Sequence, residues 1–111
     1  MNSATERFLI GGPAGDIEVA LDRPAQGQSI AGLAVVAHPH PLFGGTLDNK
    51  VAQTIARAFV GQSMIVIRPN FRGVEKSAGA HDHGMGEVDD LWAAWKWLIE
   101  KFPDVRGQRW M

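Results

Sequence analysis

Two short runs of consecutive apolar residues set the strongest limit on how this chain can fold. Leu33–Ala37 and Met64–Ile67 contain no polar position, which is typical of strands buried on both faces of a parallel sheet. Between them, the segment from Asp48 to Val60 has helical spacing of apolar residues and is followed by Gly61 as a C-terminal stop. This order predicts a right-handed βαβ unit, and therefore an α/β fold with a small, mainly parallel sheet.

The segments outside this unit also carry local signals. Phe8–Ile10 and Ile17–Leu21 are separated by a glycine-rich turn, which predicts an antiparallel hairpin at a sheet edge. A long amphipathic pattern over Gly86–Phe102 predicts a second helix. The last residues, Arg109–Met111, resemble the beginning of a strand that the chain does not continue.

The spacing also predicts which helix faces are buried. In the first helix, after Asp48 as N-cap, the face expected to pack consists of Val51, Ile55, Ala58 and Phe59. In the second helix it consists of Val88, Leu91, Trp92, Trp95, Leu98, Ile99 and Phe102. The charged residues of the second helix are expected to point away from the core; they are Glu87, Asp89, Asp90, Lys96, Glu100 and Lys101. Trp97 lies off the apolar stripe, so we expect it to be exposed or to face a partner.

Composition limits the partners. The 111 residues are too few for two ordinary cores, and 12 acidic residues nearly balance 11 basic ones, which form no stripe. We therefore expect no nucleic-acid partner. No apolar run approaches the roughly 20 residues that span a bilayer, so we expect no membrane partner. The absence of cysteine excludes disulfides and thiolate metal sites, and together with the lack of a signal-peptide pattern it favours the cytoplasm. No motif indicates a cofactor.

Two polar loops follow the apolar runs. Residues 38–45 read His-Pro-His-Pro-Leu-Phe-Gly-Gly, and residues 70–79 read Asn-Phe-Arg-Gly-Val-Glu-Lys-Ser-Ala-Gly. Loops at strand ends expose backbone groups and polar side chains, and loops after parallel strands lie at one edge of the sheet. The two loops are therefore expected to lie close together.

The order of elements and the two loops together resemble the α/β-hydrolase superfamily, specifically the N-terminal portion of a small bacterial single-domain serine hydrolase. Residues 38–45 resemble the loop after the family's third strand, and residues 70–79 resemble the loop after its fourth, which runs Arg-Gly-x-Gly-x-Ser-x-Gly. The resemblance implies one incomplete domain over residues 1–111, with a partial α/β-hydrolase fold that ends before the Gly-x-Ser-x-Gly nucleophile elbow. It also implies an esterase or acyl-transfer activity on a small ester, thioester or amide.

In this family the oxyanion hole takes one backbone N–H from the loop after the third strand, and only that donor can exist in this chain. Pro39 and Pro41 carry no N–H, which leaves His40, Leu42 or a later residue. Alignment with the family's His-Gly pair favours the His40 N–H. The substrate loop would then consist of His38, Leu42, Phe43 and Gly44. The alternative is a rigid turn that only links strand to helix.

No serine of the chain is expected to be the nucleophile. Ser77 comes nearest, but an elbow needs a small residue at position 75, where Glu75 stands, and a helix that starts at once. Ser63 precedes a strand instead of following one, and Ser3 and Ser29 lie in no motif. Without nucleophile, acid and catalytic histidine, we expect the chain to be inactive.

Two other interpretations remain open. A zinc or nickel site could form if the loops met, using His38, His40, His81, Asp82 and His83. Solvent-facing or loop-bracing histidines explain the same residues more simply, so no metal is expected.

The second alternative is a non-enzymatic binding or assembly module. In the family's strand order, the Leu33–Ala37 strand pairs with a fifth strand, so its absence would leave an open apolar edge. We therefore expect self-association or a complementary chain at that exposed edge.

Overall fold

The computed structural model describes residues 4–25, 29–38, 46–80, 85–105 and 107–110. The strands are β1 (Ala4–Gly12), β2 (Gly15–Arg23), β3 (Gly32–Val35), β4 (Met64–Pro69) and β5 (Gln108–Trp110), and the helices are α1 (Lys50–Val60) and α2 (Met85–Lys101). The strands form one mixed sheet in the order β1-β2-β4-β3-β5. The helices cover opposite faces of this sheet, which confirms the predicted partial α/β fold.

The two apolar runs form the centre of the sheet. β3 and β4 pair in parallel from Gly32 and Met64 to Val35 and Ile67, and every residue of both strands is buried. Alternate β3 side chains join the clusters on the two faces, with Leu33 and Val35 packing on the α2 side and Ala34 on the α1 side. Because each strand has a helix on either face, neither tolerates a polar position except at its end.

The predicted hairpin is confirmed and is longer than expected. β1 and β2 pair antiparallel along their full length, from Ala4 and Arg23 to Gly12 and Gly15. β2 is not at the edge, because it also pairs antiparallel with β4. Its interior position explains why Ile17 and the residues after it are buried. The sheet edge on this side is β1.

The N-terminus of α1 differs from the prediction by one residue. Asn49, not Asp48, is the N-cap, and its Oδ1 accepts hydrogen bonds from the N–H groups of Val51 (2.9 Å) and Ala52 (3.3 Å). Asp48 instead forms an ion pair with Arg7 of β1. An amide caps a helix as well as a carboxylate does, which leaves Asp48 available for this contact. At the other end, Gly61 is the C-cap, as predicted.

The predicted packing face of α1 is mostly wrong. The helix rests on the sheet through Ala52 and Ala56, while Val51 and Ile55 are 63% and 42% exposed. Of the predicted residues, Phe59 does pack against the core. Small side chains let the helix axis approach the sheet closely, whereas a prediction based on apolar spacing favours the larger residues.

The packing face of α2 is partly wrong for a different reason. Leu98 is buried as predicted, but Val88 and Trp92 are 50% and 55% exposed. Glu87 and Asp90, both expected in solvent, are buried, and Asp90 has a cationic partner in Arg72. Trp97 packs on Phe8 of β1, with ring centroids 5.1 Å apart. Within the described ranges, no helix is long and apolar enough to cross a membrane.

The expectation that β3 forms an open edge is also wrong. β5 pairs in parallel with Gly32–Ala34, so a fifth strand begins inside this chain, one residue earlier than the strand-like run in the sequence suggests. The close approach requires glycine at Gly107, because a Cβ there would collide with the carbonyl oxygen of Ala31. The outer edge on this side is therefore the three-residue strand β5.

Candidate functional site

The loops after β3 and β4 begin at the same edge of the sheet. Parallel pairing extends past β3, because the Val36 N–H donates to the Ile67 carbonyl oxygen at 3.0 Å. His38 and Asn70 follow the two strand ends, and both side chains are buried. The predicted proximity of the two loops is confirmed for the residues at their starts.

His38 fixes the beginning of the first loop. Its Nε2 accepts a hydrogen bond from the Phe71 N–H at 3.0 Å, and its ring meets the Phe71 ring edge-on with centroids 4.6 Å apart. A nitrogen that accepts an N–H carries no proton, so the imidazole holds its proton on Nδ1. In this arrangement His38 joins the two loops through its side chain.

Asn70 fixes the end of the first loop. Its Oδ1 accepts the Leu47 N–H at 2.7 Å, and its Nδ2 donates to Glu18 Oε1 of β2 at 2.8 Å. The Leu47 carbonyl oxygen accepts from Arg68 Nη1 at 2.6 Å. Both backbone groups of Leu47 are thus bound to side chains from the end of β4.

The two anchors together clamp one stretch of chain. His38 binds Phe71, and Leu47 binds Asn70, so two consecutive residues hold both ends of the segment from 38 to 47. The predicted site residues His40, Leu42, Phe43 and Gly44 lie inside that segment, outside the described residues. The structure therefore places His38 and the anchors, and the other positions stay predictions.

Ser77 belongs to the same hydrogen-bond network. Its hydroxyl donates to the Asn70 carbonyl oxygen at 2.7 Å and accepts the Glu18 N–H at 2.8 Å, and the side chain is buried. Glu18 Oε1 also accepts the Lys76 N–H at 3.2 Å. A hydroxyl used in this way braces the loop after β4 against β2.

The backbone of this second loop turns through three residues with positive φ. Gly73 has φ 78°, Glu75 has φ 47° and Gly79 has φ 91°. Glycine adopts this region freely, whereas a residue with a Cβ is strained there by about 1–2 kcal/mol. Glu75 stands where the family pattern has its second glycine, so the turn keeps the shape that a glycine favours.

An ion pair joins the second loop to α2. The Arg72 guanidinium makes a bidentate contact with Asp90, with Nε–Oδ2 at 3.1 Å and Nη2–Oδ1 at 2.9 Å. The backbone N–H of Arg72 also donates to Oδ2. Nη2 reaches the Gly86 carbonyl oxygen at 2.8 Å. A Cβ at position 86 would collide with the guanidinium, so the glycine leaves room for this contact.

A second buried ion pair, between Arg68 and Asp22, is connected to the end of the first loop. Arg68 donates through Nε and Nη2 to Asp22 at 2.7 and 3.1 Å, and Thr5 donates its hydroxyl to the same carboxylate at 2.6 Å. Because Arg68 also binds Leu47, the loop is connected through this pair to both strands of the hairpin.

A third ion pair, between Arg7 and Asp48 at the start of α1, is exposed to solvent. The hydrogen bond from Arg7 lowers the pKa of Asp48 below its ordinary value and raises that of the guanidinium. Both side chains are 49% exposed, so solvent screens the pair.

The metal alternative gains no support from the described part of the chain, in which no group of three or more possible ligands is clustered. His38 uses its Nε2 on the Phe71 N–H. The other candidates, His40 and residues 81–83, lie outside the described ranges.

Several anchors could not be predicted as site residues. The sequence places Asn70 in a loop and predicts an exposed Asp90, and nothing in it singles out Glu18. The one available signal is the pair of polar residues, Arg68 and Asn70, that follows the apolar run Met64–Ile67.

Known proteins are similar to this chain, although no family model matches it. An α/β serine hydrolase homologue from Coxiella burnetii has a TM-score of 0.87 and 43% identity, covering 95% of this chain and 49% of its own. A serine hydrolase without lid from Xanthomonas campestris has a TM-score of 0.84 and 39% identity, with coverage of 89% and 46%. An uncharacterized protein of Rickettsia prowazekii (strain Madrid E) is 43% identical over 102 residues, 91% of this chain and 42% of its own.

The agreement in both sequence and structure extends over nearly all of this chain. By its structure, the chain belongs to the α/β-hydrolase family. It spans about half the length of these relatives. Its 111 residues contain no Gly-x-Ser-x-Gly motif, the form in which α/β-hydrolases carry a nucleophilic serine.

Proposed function

We propose that this chain supplies the oxyanion loop of an esterase-type acyl hydrolase, with a small ester or amide as substrate. The His40 N–H would be the donor to the oxyanion, and the substrate loop would consist of His38, Leu42, Phe43 and Gly44. The observation that carries this proposal is the clamp on the loop, made by His38 with Phe71 and by Leu47 with Asn70.

The clamp matters because an oxyanion donor stabilises a transition state only if it is oriented before charge develops. A loop whose two ends are bound by buried groups loses less freedom when it meets the substrate than a free loop does. Both buried ion pairs and the network of Asn70, Glu18 and Ser77 extend this support into the sheet and α2.

This chain by itself should not turn over substrate. The sequence provides no Gly-x-Ser-x-Gly elbow and no motif for the acid and histidine that would complete the site. The proposal needs no cofactor, and location in the cytoplasm remains a prediction.

The oxyanion role can be tested in a completed chain. The segment of the Coxiella burnetii relative that lies beyond its match to this protein is fused after Met111, and hydrolysis of p-nitrophenyl acetate is measured. His40→Pro removes the N–H, whereas the matched variant His40→Ala keeps it. We expect kcat to fall by about 10²–10³-fold for the proline variant and to change little for alanine. Equal activity of both variants, in fusions of matching circular dichroism, would contradict the role.

The inactivity of the chain alone has a separate test. The 111-residue protein is assayed with the same ester beside its Ser77→Ala variant. We expect no turnover above buffer for either protein, because the Ser77 hydroxyl already bonds to Asn70 and Glu18. Turnover that Ser77→Ala abolishes would show that Ser77 is a nucleophile after all.

A binding or assembly role without catalysis is the second candidate. It is favoured by the exposed apolar residues of both helices, Val51 and Ile55 on α1 and Val88 and Trp92 on α2. Complex formation without ester hydrolysis would favour this candidate over the first.

A further inference from the structure

A cavity lies between α1 and the hairpin of β1 and β2. Its volume is about 690 Å³, which is within the range of small-molecule sites, about 300–1,000 Å³. Thr5 and Asp22 are on the hairpin wall, and Gln53 and Arg57 are on the α1 wall. Of the residues that the structure describes in the two loops after β3 and β4, none lines this cavity. It is therefore separate from the candidate functional site.

Positive charge predominates in this cavity. The described lining residues carry one carboxylate, that of Asp22, and three guanidinium groups, those of Arg7, Arg57 and Arg68. Asp22 forms a buried ion pair with Arg68. Asp48, which is not a lining residue, pairs with Arg7. Among the described residues, no ion pair or side-chain hydrogen bond involves Arg57. One positive charge is left over, and a cleft with such an excess attracts anions.

Arg68 lines the cavity with a side chain that is held in place. The side chain is only 6% exposed, and its guanidinium makes two hydrogen bonds to Asp22 and one to the Leu47 carbonyl oxygen. A guanidinium has five N–H groups, so two of them are not used in these bonds. Because a fixed donor loses little conformational freedom when it binds a further acceptor, Arg68 is suited to hold a ligand beside Arg57.

The end of α1 contributes a hydroxyl group and offers little repulsion to an anion. Unpaired carbonyl oxygens at a helix C-terminus disfavour negative charge. Those of Arg57, Phe59 and Val60, however, accept the N–H groups of residues 61–63 at 2.8–2.9 Å. Ser63 lines the cavity, and its hydroxyl makes no hydrogen bond within the described part of the chain. The Ser63 hydroxyl can therefore bind a polar group of a ligand.

We propose that this cavity binds a small phosphate ester whose organic part carries hydroxyl groups, as in a sugar phosphate. The phosphate group would lie between Arg57 and Arg68, and a ligand hydroxyl would meet Ser63. Guanidinium groups bind phosphate oxygens through charge-assisted and often paired hydrogen bonds, and a phosphate has enough oxygens for two arginines. The volume exceeds what inorganic phosphate fills, which favours an organic phosphate. This site goes beyond the proposed hydrolase function and does not rest on it.

Titration with glucose 6-phosphate tests the site. The 111-residue protein is titrated at constant ionic strength, and binding is followed by isothermal titration calorimetry and by amide chemical shifts. We expect a dissociation constant of about 1 mM or lower, with the largest shifts in residues 53–63. Glucose has no charge and should bind at least about tenfold more weakly, because hydrogen bonds to charged groups are the stronger ones. Gluconate, with a carboxylate in place of the phosphate, should also bind more weakly.

Arg57→Met and Lys50→Met form a matched pair of variants. Arg57→Met removes the unpaired charge from the cavity and should weaken binding of glucose 6-phosphate by at least about tenfold. Lys50→Met removes a charge from the same helix, at an exposed position outside the lining, and should leave binding unchanged. Arg57 is also exposed, so neither substitution should affect folding. Circular dichroism and thermal unfolding of both variants check this.

Three results would overturn the proposal of a site in this cavity. They are the absence of binding up to about 10 mM glucose 6-phosphate, equal affinity for glucose, and equal affinity of Arg57→Met and the parent protein. A loss in Lys50→Met as large as that in Arg57→Met would also overturn it, because the attraction would then be general to the surface. Equal affinity for gluconate would overturn the assignment to a phosphate ester.

Discussion

The two edges of the sheet differ in how completely they are built. On the β1 side, two nine-residue strands pair along their whole length, Trp97 packs on Phe8, and Arg7 binds Asp48 at the start of α1. On the β5 side, the outer strand is only three residues long and pairs with Gly32–Ala34 of β3. The two outer strands therefore differ in how much pairing and packing holds them in place.

The candidate site is connected to the β1 side. Its anchors, His38 and Asn70, are buried and bind groups of the second and first loops, respectively. The network continues through Glu18 into β2, which lies between β1 and β4. The support of the described anchors therefore comes from the β1 side of the sheet.

Asp90→Ala should give the largest loss of stability. In the parent protein the Arg72 guanidinium is part-buried and paired with Asp90, and the variant removes that carboxylate. Removing one partner of a buried pair costs about 3–5 kcal/mol, so we expect urea denaturation to show a loss of that size in the free energy of unfolding. Asp89→Ala, at the exposed neighbouring position, is the control and should change stability by less than about 0.5 kcal/mol. Similar effects for both would mean that the Arg72–Asp90 ion pair does not hold α2 to the second loop.

Asn70→Ala tests the anchor of the first loop. It removes the acceptor of the Leu47 N–H and the donor to Glu18. Leaving such buried groups unpaired costs about 1–3 kcal/mol each, so we expect a loss of about 3 kcal/mol by the same denaturation measurement. Asn49→Ala, which removes an N-cap at the surface, should cost only about 1 kcal/mol. A smaller effect for Asn70 than for Asn49 would show that the clamp is weak.

Glu75→Gly should raise stability. Glu75 has φ 47°, and glycine removes the strain of a Cβ in this region. After the larger unfolded-state entropy of glycine is included, we expect a gain of about 1 kcal/mol in calorimetry. Lys76→Gly, one residue later, lacks this strain to relieve and should lower stability. A loss for Glu75→Gly would mean that the Glu75 side chain contributes contacts worth more than the strain.

Acid should produce the smallest change. Arg7 lowers the pKa of Asp48 from its ordinary value of 3.8. The pair therefore contributes stability above that pH, and the contribution is lost as the pH falls through the lowered pKa. Because both side chains are half exposed, we expect no more than about 0.5 kcal/mol, measured as the difference between the parent and Asp48→Asn over a pH titration. A difference that grows toward acid pH would contradict this sign.

Local patterns were sufficient to predict the elements but not their contacts. The apolar runs predicted β3 and β4 correctly, because a strand buried on both faces has apolar residues at consecutive positions. The amphipathic period predicted α2, because a helix buried on one face has apolar residues at regular intervals. Helix orientation was predicted less well, since burial of Asp90 depends on Arg72, 18 positions away. The β5 pairing depends on the close approach that Gly107 allows. Such long-range contacts leave no periodic trace.

The site was predictable to a similar extent. The start of both loops at one edge of the sheet followed from motif and strand order, whereas the hydrogen bond between His38 and Phe71 did not. The anchor Asn70 did not, because its importance arises from Leu47 and Glu18, which are distant in sequence.

Amide hydrogen exchange, followed by mass spectrometry, tests most directly whether the two outer strands of the sheet are held to different extents. In the 111-residue protein, β2 and β4 should exchange at rates near that of global unfolding, while β5 should show little protection. β1 pairs with β2 along nine residues, so it should be more protected than β5. Protection of β5 equal to that of β4, or protection of β1 no greater than that of β5, would contradict the account.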